Sequence, residues 1–138
     1  PQGRAYGLDP SELSVRRSRA LNRRELGERC LVRQGSAEAI PYPSSLFDAA
    51  TAFETLYFWP DLPRAFREIL RVLKPGGLFL TVSELSDPHS VWTRLVDGIR
   101  VYTPEQLARM LSDAGFVRVS IDRRRGWSAV RAYKPKAE

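Results

Sequence analysis

The stretch Ser36 to Leu62, SAEAIPYPSSLFDAATAFETLYFWPDL, constrains the fold more than any other part of the chain. It holds a short polar turn, a loop punctuated by Pro41 and Pro43, a strand candidate and an aromatic exit. The strand is expected over Phe47 to Phe53 and reads as a buried one. Asp48 stands near its start. Ala49, Ala50 and Ala52 keep its side chains small, so that a neighbouring backbone or helix can come close. Directly after it, Phe53, Leu56, Tyr57, Phe58 and Trp59 crowd together. A strand that runs into a dense aromatic turn predicts a pocket at its C-terminal edge, where ligands bind in open α/β sheets.

Composition bounds the remaining choices. A chain of 138 residues fits one domain, expected over residues 1–138, and 43% hydrophobic residues are enough for a core. No run approaches the roughly 20 apolar residues of a membrane span, and no signal peptide is visible. A cytoplasmic protein with no membrane partner is the simplest expectation. A single cysteine, Cys30, excludes an internal disulfide, and a single histidine, His89, excludes a Cys/His metal cluster. The net charge of +6 raises a nucleic-acid partner. However, Arg16-Arg17 and Arg23-Arg24 alternate with Glu12, Glu25 and Glu28, the pattern of a solvated helix face. No specific nucleic-acid partner is expected.

The chain opens on a strand candidate, Arg4 to Leu8, closed by Asp9-Pro10. A carboxylate there offers several acceptor sites, suited to a ribose diol. Asp-Pro-Ser-Glu is also a good helix start, with Pro10 at or near the first helical position; the two roles are compatible. A helix is expected over Ser11 to Glu28, with Leu13, Val15, Ala20 and Leu21 as its apolar stripe and Gly27 at its frayed end. A short strand, Cys30 to Arg33, precedes Gln34-Gly35. After the aromatic turn, Leu62 to Leu73 reads as an amphipathic helix with Asp61 as its N-cap. Lys74-Pro75-Gly76-Gly77 is expected to stop it and turn the chain. Leu78 to Ser83, LFLTVS, has the nearly continuous apolar character of a buried parallel strand. The connection Glu84 to Val101 is expected to hold a helix over Ser90 to Gly98. Thr103-Pro104-Glu105-Gln106 begins a clear helix to Ala114. Strands over Val117 to Asp122 and Trp127 to Tyr133 then form an antiparallel hairpin.

Two of these segments carry a family resemblance. The polar turn Ser36-Ala37-Glu38, the loop ending in Pro41 and Pro43, and Phe47-Asp48 opening a strand resemble the middle of a class I S-adenosylmethionine-dependent methyltransferase of the type 11 kind. About twenty residues on, Arg71-Val72-Leu73-Lys74-Pro75-Gly76-Gly77 resembles that family's R-x-L-K-P-G-G turn into its fifth strand. LSDAGF after the last helix is a further similarity, and the resemblance runs from about Tyr6 to Lys134. It implies an α/β, Rossmann-like sheet in the order 3-2-1-4-5-7-6, closed by the C-terminal antiparallel hairpin. It also implies S-adenosylmethionine as cofactor and a small-molecule methyl acceptor. The cofactor contacts it implies are Asp9, Pro10, Ser36, Ala37, Glu38, Phe53, Glu54 and Tyr57. Asp9 takes the place of the ribose-binding acid at the end of strand two. Ser36 replaces the family's usual acid, and the Ala37 N–H stands where an adenine ring nitrogen would be met. Glu38 is read first as the cap of a short helix.

Methyl transfer from a sulfonium is an in-line displacement that needs alignment of the reactants within about 3–3.5 Å rather than a metal or a triad. No catalytic residue is therefore required by the resemblance, although Glu54 and His89 are candidates for a base. Trp92, Glu84 and His89 lie where the family recognises substrate. The aromatic exit Phe53, Tyr57, Phe58 and Trp59 is suited to excluding water and favouring a sulfonium cation.

The glycine-rich loop after the family's central first strand has no counterpart here, since Gly3 and Gly7 form no such loop. Strand one is expected to be absent and the chain to be an N-terminally truncated version of the domain. Its absence is expected to separate strands two and three from the other four and to leave unpaired edges, which favours a homodimer or strand-swapped oligomer. The alternative to an enzyme is a non-catalytic methyltransferase-like binding or scaffold domain. A nicotinamide enzyme would need a G-x-G-x-x-G turn that the sequence does not contain. The turn Arg123-Arg124-Arg125 is the remaining argument for a nucleic-acid module.

Overall fold

The computed structural model describes residues 2–84 and 87–138; Leu85 and Ser86, inside the connection expected over Glu84 to Val101, lie outside the described residues. The chain divides into two compact units, residues 1–41 and 42–138.

The first unit is a βαβ element. Strand β1 (Ala5–Asp9) pairs in parallel with β2 (Cys30–Gln34), in register from Ala5 opposite Cys30 to Asp9 opposite Gln34. Helix α1 (Glu12–Leu21) links them, with Ser11 as N-cap accepting from the Ser14 N–H at 3.3 Å. The helix is shorter than the expected Ser11–Glu28. At Asn22 both the backbone N–H and the side-chain amide donate to the Ser18 carbonyl, at 3.1 and 2.8 Å, and this closes it. The expected apolar stripe is also corrected: Val15 is the helix's buried residue, while Leu13 and Leu21 are 57% and 86% exposed. A two-stranded sheet gives a helix little surface to cover. Arg19 adds a polar tie, donating from Nε and Nη2 to the Val32 carbonyl at 2.9 and 2.7 Å.

The second unit is a four-stranded sheet in the order β3-β4-β6-β5. Strand β3 (Phe47–Phe53) is parallel to β4 (Leu73–Ser83), and β6 (Trp127–Tyr133) is antiparallel to both β4 and β5 (Val117–Arg124). Helix α2 (Leu62–Val72) starts at Asp61, whose Oδ1 accepts from the Arg64 N–H at 3.0 Å. It buries Leu62, Ala65, Phe66, Ile69 and Val72, the spacing of one helical face. Strand β4 begins at the very next residue, so Lys74-Pro75-Gly76-Gly77 belongs to a strand rather than the expected turn. Leu73 already pairs with Phe47, and the register shift between Phe47 and Ala49 absorbs the extra residues. The helix-end carbonyls of Leu73 and Arg71 accept from Lys134 Nζ at 2.7 and 3.4 Å.

Successive β4 residues face opposite sides of the sheet. Phe79, Thr81 and Ser83 are buried, and Phe79 meets Phe66 of α2 and Phe116 with ring centroids 5.9 Å apart in each case. The other face carries Leu78, Leu80 and Val82, half-buried, in register with Ala49, Thr51 and Phe53 of β3, all exposed. The expectation of a buried β3 is thus corrected: only Ala52 is buried, because β3 pairs along one edge and α2 packs on the opposite face.

Helix α4 (Pro104–Asp113) shows the expected start. Thr103 and Gln106 form a reciprocal capping box, with bonds of 3.1 and 2.8 Å, and Pro104 lies in the first turn. The helix expected over Ser90–Gly98 contracts to α3 (Trp92–Leu95). Its Val91, Trp92 and Leu95 are 58%, 57% and 67% exposed, so little burial sustains a longer helix. No helix of the described residues is long and apolar enough to cross a membrane.

Candidate functional site

Ligands in open α/β sheets bind at the C-terminal ends of the parallel strands, and the eight sequence-predicted contacts lie at or a few residues beyond the ends of β1, β2 and β3. In the first unit, Asp9 and Gln34 face each other at the ends of β1 and β2, and the Gly35 N–H donates to the Asp9 carbonyl at 3.0 Å. A Cβ on Gly35 would stand 2.7 Å from Leu8 Cδ1, a terminal methyl that can turn away. Asp9 Oδ1 accepts from the Ser11 N–H at 2.8 Å and turns the chain into α1. Its second carboxylate oxygen has no partner among the described residues. Pro10 does not occupy the first helical position, because Ser11 takes the cap; its carbonyl accepts from Gln34 Nε2 at 3.0 Å.

Ser36, Ala37 and Glu38 form a tight turn rather than the start of a short helix. Ser36 Oγ accepts from the Glu38 N–H at 3.1 Å, and the Ser36 carbonyl accepts from the Ala39 N–H at 3.2 Å. The Ala37 N–H donates to no group among the described residues. The Ala37 donor thus stands one residue beyond a serine whose hydroxyl is already engaged.

In the second unit the chain leaves β3 through Glu54, which adopts φ +54°, in the left-handed region. Its N–H continues the ladder to the Val82 carbonyl at 3.0 Å. Its carboxylate has two partners: Oε2 accepts from the Tyr57 hydroxyl at 3.0 Å and Oε1 from the Glu84 backbone N–H at 2.5 Å. Tyr57 belongs to a short 3₁₀ turn, Leu56–Phe58, and is buried. The aromatic exit is divided. Tyr57 is core, whereas Phe53 and Phe58 are 55% and 60% exposed. The Arg100 N–H donates to the Tyr57 carbonyl at 2.9 Å, returning the chain after α3 to this turn.

Asp9, Pro10 and the 36–38 turn thus gather at one strand edge of the first unit, and Phe53, Glu54 and Tyr57 at one strand end of the second. His89 is exposed, with its N–H on Asp87 Oδ1 at 2.9 Å. The Glu84 amide was missed as a site component, because no local sequence signal connects positions thirty residues apart. In the basic turn, Arg123 pairs with Glu105, and Arg124 pairs with Asp122 at 3.1 Å. No group of three or more metal-ligating side chains occurs among the described residues.

A methyltransferase-domain family model matches residues 2–81. The protein YafE of Escherichia coli K12 is 33% identical over 99 residues, covering 70% of this chain and 47% of YafE. The ubiquinone/menaquinone biosynthesis C-methyltransferase UbiE of Brucella anthropi is 31% identical, covering 82% of this chain and 53% of that enzyme. The chain therefore spans about half the length of these two relatives. The crystal structure of the [4+2]-cyclase SpnF superposes with a TM-score of 0.82 at 24% identity, covering 98% of this chain and 68% of SpnF. That likeness fixes the fold as an α/β, Rossmann-like methyltransferase fold with a mixed sheet and a C-terminal antiparallel hairpin. By the match over residues 2–81, the chain belongs to the class I S-adenosylmethionine-dependent methyltransferase family.

Proposed function

We propose that this domain serves S-adenosylmethionine-dependent methyl transfer to a small, lipophilic acceptor. The observation that carries the reading is the pair of uncommitted groups at the β1/β2 edge: the second Asp9 oxygen and the Ala37 N–H. A carboxylate oxygen suits a ribose hydroxyl, and a backbone donor suits an adenine ring nitrogen. Ser36, with its hydroxyl engaged by Glu38, holds the turn and so presents Ala37. The cofactor supplies an electrophilic methyl on a sulfonium. The chain's part is to bind, orient and exclude water. Phe53 and Phe58 offer exposed apolar surface at the end of β3 for that purpose.

The lipophilic class of acceptor is supported by the segment after β4. Val91, Trp92, Leu95 and Val96 are all exposed there, and UbiE is named for ubiquinone/menaquinone biosynthesis. The pairing β2-β1 within the first unit and the order β3-β4-β6-β5 within the second are each compatible with part of the order 3-2-1-4-5-7-6. Open strand edges support self-association of the chain.

A second reading, a methyltransferase-like domain without methyl transfer, is favoured by SpnF, which carries this fold and is named a cyclase. Calorimetric titration with S-adenosylmethionine and S-adenosylhomocysteine separates the two, followed by transfer of labelled methyl to a reduced prenylated quinone. Micromolar binding that is lost in Asp9→Ala, together with incorporation of label, supports transfer. Binding without incorporation into any lipophilic acceptor supports the second reading. Absence of binding removes the cofactor-site assignment.

A further inference from the structure

We infer that Glu54 is a positioning residue that sets the course of the chain after β4, and with it the wall that would meet the acceptor; this rests on the proposed methyl-transfer reading. The carboxylate ties three points together: the exit of β3, the 3₁₀ turn through the Tyr57 hydroxyl at 3.0 Å, and the exit of β4 through the Glu84 N–H at 2.5 Å. The hold on Glu84 is a charge-assisted bond to a backbone donor, the stronger kind of hydrogen bond. Glu84 is the first residue beyond β4, so this bond fixes the backbone at the point where the strand ends.

The backbone supports this assignment. Glutamate is a costly choice at φ +54°, where glycine or asparagine is preferred. Strain of this kind persists where surrounding structure over-determines it and often marks a working site. Here the ladder bond to Val82, the Tyr57 hydroxyl and the Glu84 amide supply the determination. With one donor on each oxygen, the carboxylate has a holding role in this arrangement, which argues against its use as the base considered from the sequence.

The role is separable from the backbone effect by choice of substitution. Glu54→Asn tolerates the left-handed backbone but is one carbon too short to span both partners. Glu54→Gln keeps the length: its carbonyl can accept from Glu84, and its amide can donate to a rotated Tyr57 hydroxyl. The measurement is amide hydrogen exchange at Glu84, with Leu80 and Thr81 in the strand interior as reference. Exchange at Glu84 is expected to rise at least about tenfold in Glu54→Asn, with the reference amides unchanged and with protection restored in Glu54→Gln. Unchanged exchange at Glu84 in Glu54→Asn overturns the inference. So does equal loss in Asn and Gln variants. If Glu54→Asn fails to fold, Tyr57→Phe serves in its place: it frees one side of the clamp and is expected to raise Glu84 exchange by a smaller factor, and no rise overturns the inference. The functional arm is methyl transfer to a reduced prenylated quinone, where Glu54→Asn is expected to raise the acceptor KM. Absence of transfer in the parent protein removes the methyl-transfer reading, while the exchange result still decides the clamp.

Discussion

Lys74 Nζ lies 2.8 Å from Asp48 Oδ1, so the two segments that carry the family pattern are joined by an ion pair. The pair is exposed, at 48% for Lys74 and 87% for Asp48, and is therefore worth less than about 1 kcal/mol. The tighter constraint at this crossing is Gly77. A Cβ there would stand 2.8 Å from the Lys74 carbonyl and 3.2 Å from that of Asp48, both backbone atoms with little freedom to move. Gly77→Ala is expected to destabilise the domain by about 1–3 kcal/mol, and Lys74→Ala by less than about 1 kcal/mol. Denaturant unfolding of the two variants checks the order; equal effects would refute the steric account of the glycine.

Arg71 opens the same motif and acts through hydrogen bonds. Nε and Nη2 donate to the two Glu68 oxygens at 2.8 and 2.9 Å, and Nη1 donates to the Tyr42 carbonyl at 2.9 Å. The hydrogen bond to Glu68 is the largest influence on the guanidinium and raises its pKa above the ordinary arginine value, against a smaller effect of burial. A raised pKa gives a stabilisation that is complete below the unfolded value and is lost only as pH climbs through the folded one, so it is constant across the neutral range. Because the side chain is 35% exposed, screening reduces its worth, and Arg71→Lys is expected to cost about 1–2 kcal/mol. A lysine cannot reproduce the fork. A Lys variant as stable as the parent in thermal unfolding would show that charge alone suffices.

The elements that were legible in the sequence are those with local signals. The capping box at Thr103 and Gln106, the bounds of β3 and the bounds of β6 follow from nearby residues. Less legible was whatever depends on partners distant in sequence. Helix α1 stops at Asn22, whose backbone and side-chain amides close it on the Ser18 carbonyl, although Arg23 to Glu28 is charged like the helix before it. Lys74 to Gly77 reads as a turn in isolation, yet Phe47 pairs with Leu73 and draws it into β4. At the site, Asp9 and the 36–38 turn were readable from position relative to strand ends. The engagement of both Glu54 oxygens was not, since one partner is a backbone amide thirty residues away.

Thr81 sits in the core with 1% exposure, between Ala52 and Val130, and its hydroxyl has no hydrogen-bond partner among the described residues. A buried hydroxyl without a partner carries an uncompensated desolvation penalty. Thr81→Val keeps the shape and removes the polar atom, so it is expected to stabilise the domain by about 1 kcal/mol or more. The check is a rise in the denaturant midpoint at unchanged slope. A fall instead would show that the hydroxyl is satisfied in solution.

Asp9 combines a structural and a proposed binding role, and two substitutions separate them. Asp9→Asn retains an acceptor for the Ser11 N–H and is expected to leave stability within about 0.5 kcal/mol. Asp9→Ala loses that acceptor and is expected to cost about 1 kcal/mol. If the second oxygen receives a ribose hydroxyl, both variants weaken S-adenosylhomocysteine binding, because the charge is lost in each. Weakening in Ala alone would assign Asp9 to the turn and not to the ligand.

Strand edges give the last prediction. Among the described residues β3 pairs with β4 and with no other strand, and β1 pairs with β2 alone, so each has one side without a strand partner. On β3 the exposed residues Ala49, Thr51 and Phe53 carry no charge, and the one exposed charge, Asp48 near the strand's start, is paired with Lys74. Natural edge strands are protected by charges, proline or cover, and a flat uncharged edge is a template for pairing. The net charge of +6 opposes association but is spread over the surface and screened beyond about 8 Å at physiological salt. The chain is therefore expected to self-associate with rising concentration, more strongly at higher salt. Thr51→Lys places a charge beside the β3 edge and is expected to shift the equilibrium toward monomer without loss of helix or sheet content. Light scattering across a concentration series measures both. A parent protein that stays monomeric at the highest concentration would show that these edges are protected in solution, and an association unaffected by Thr51→Lys would move the contact away from β3.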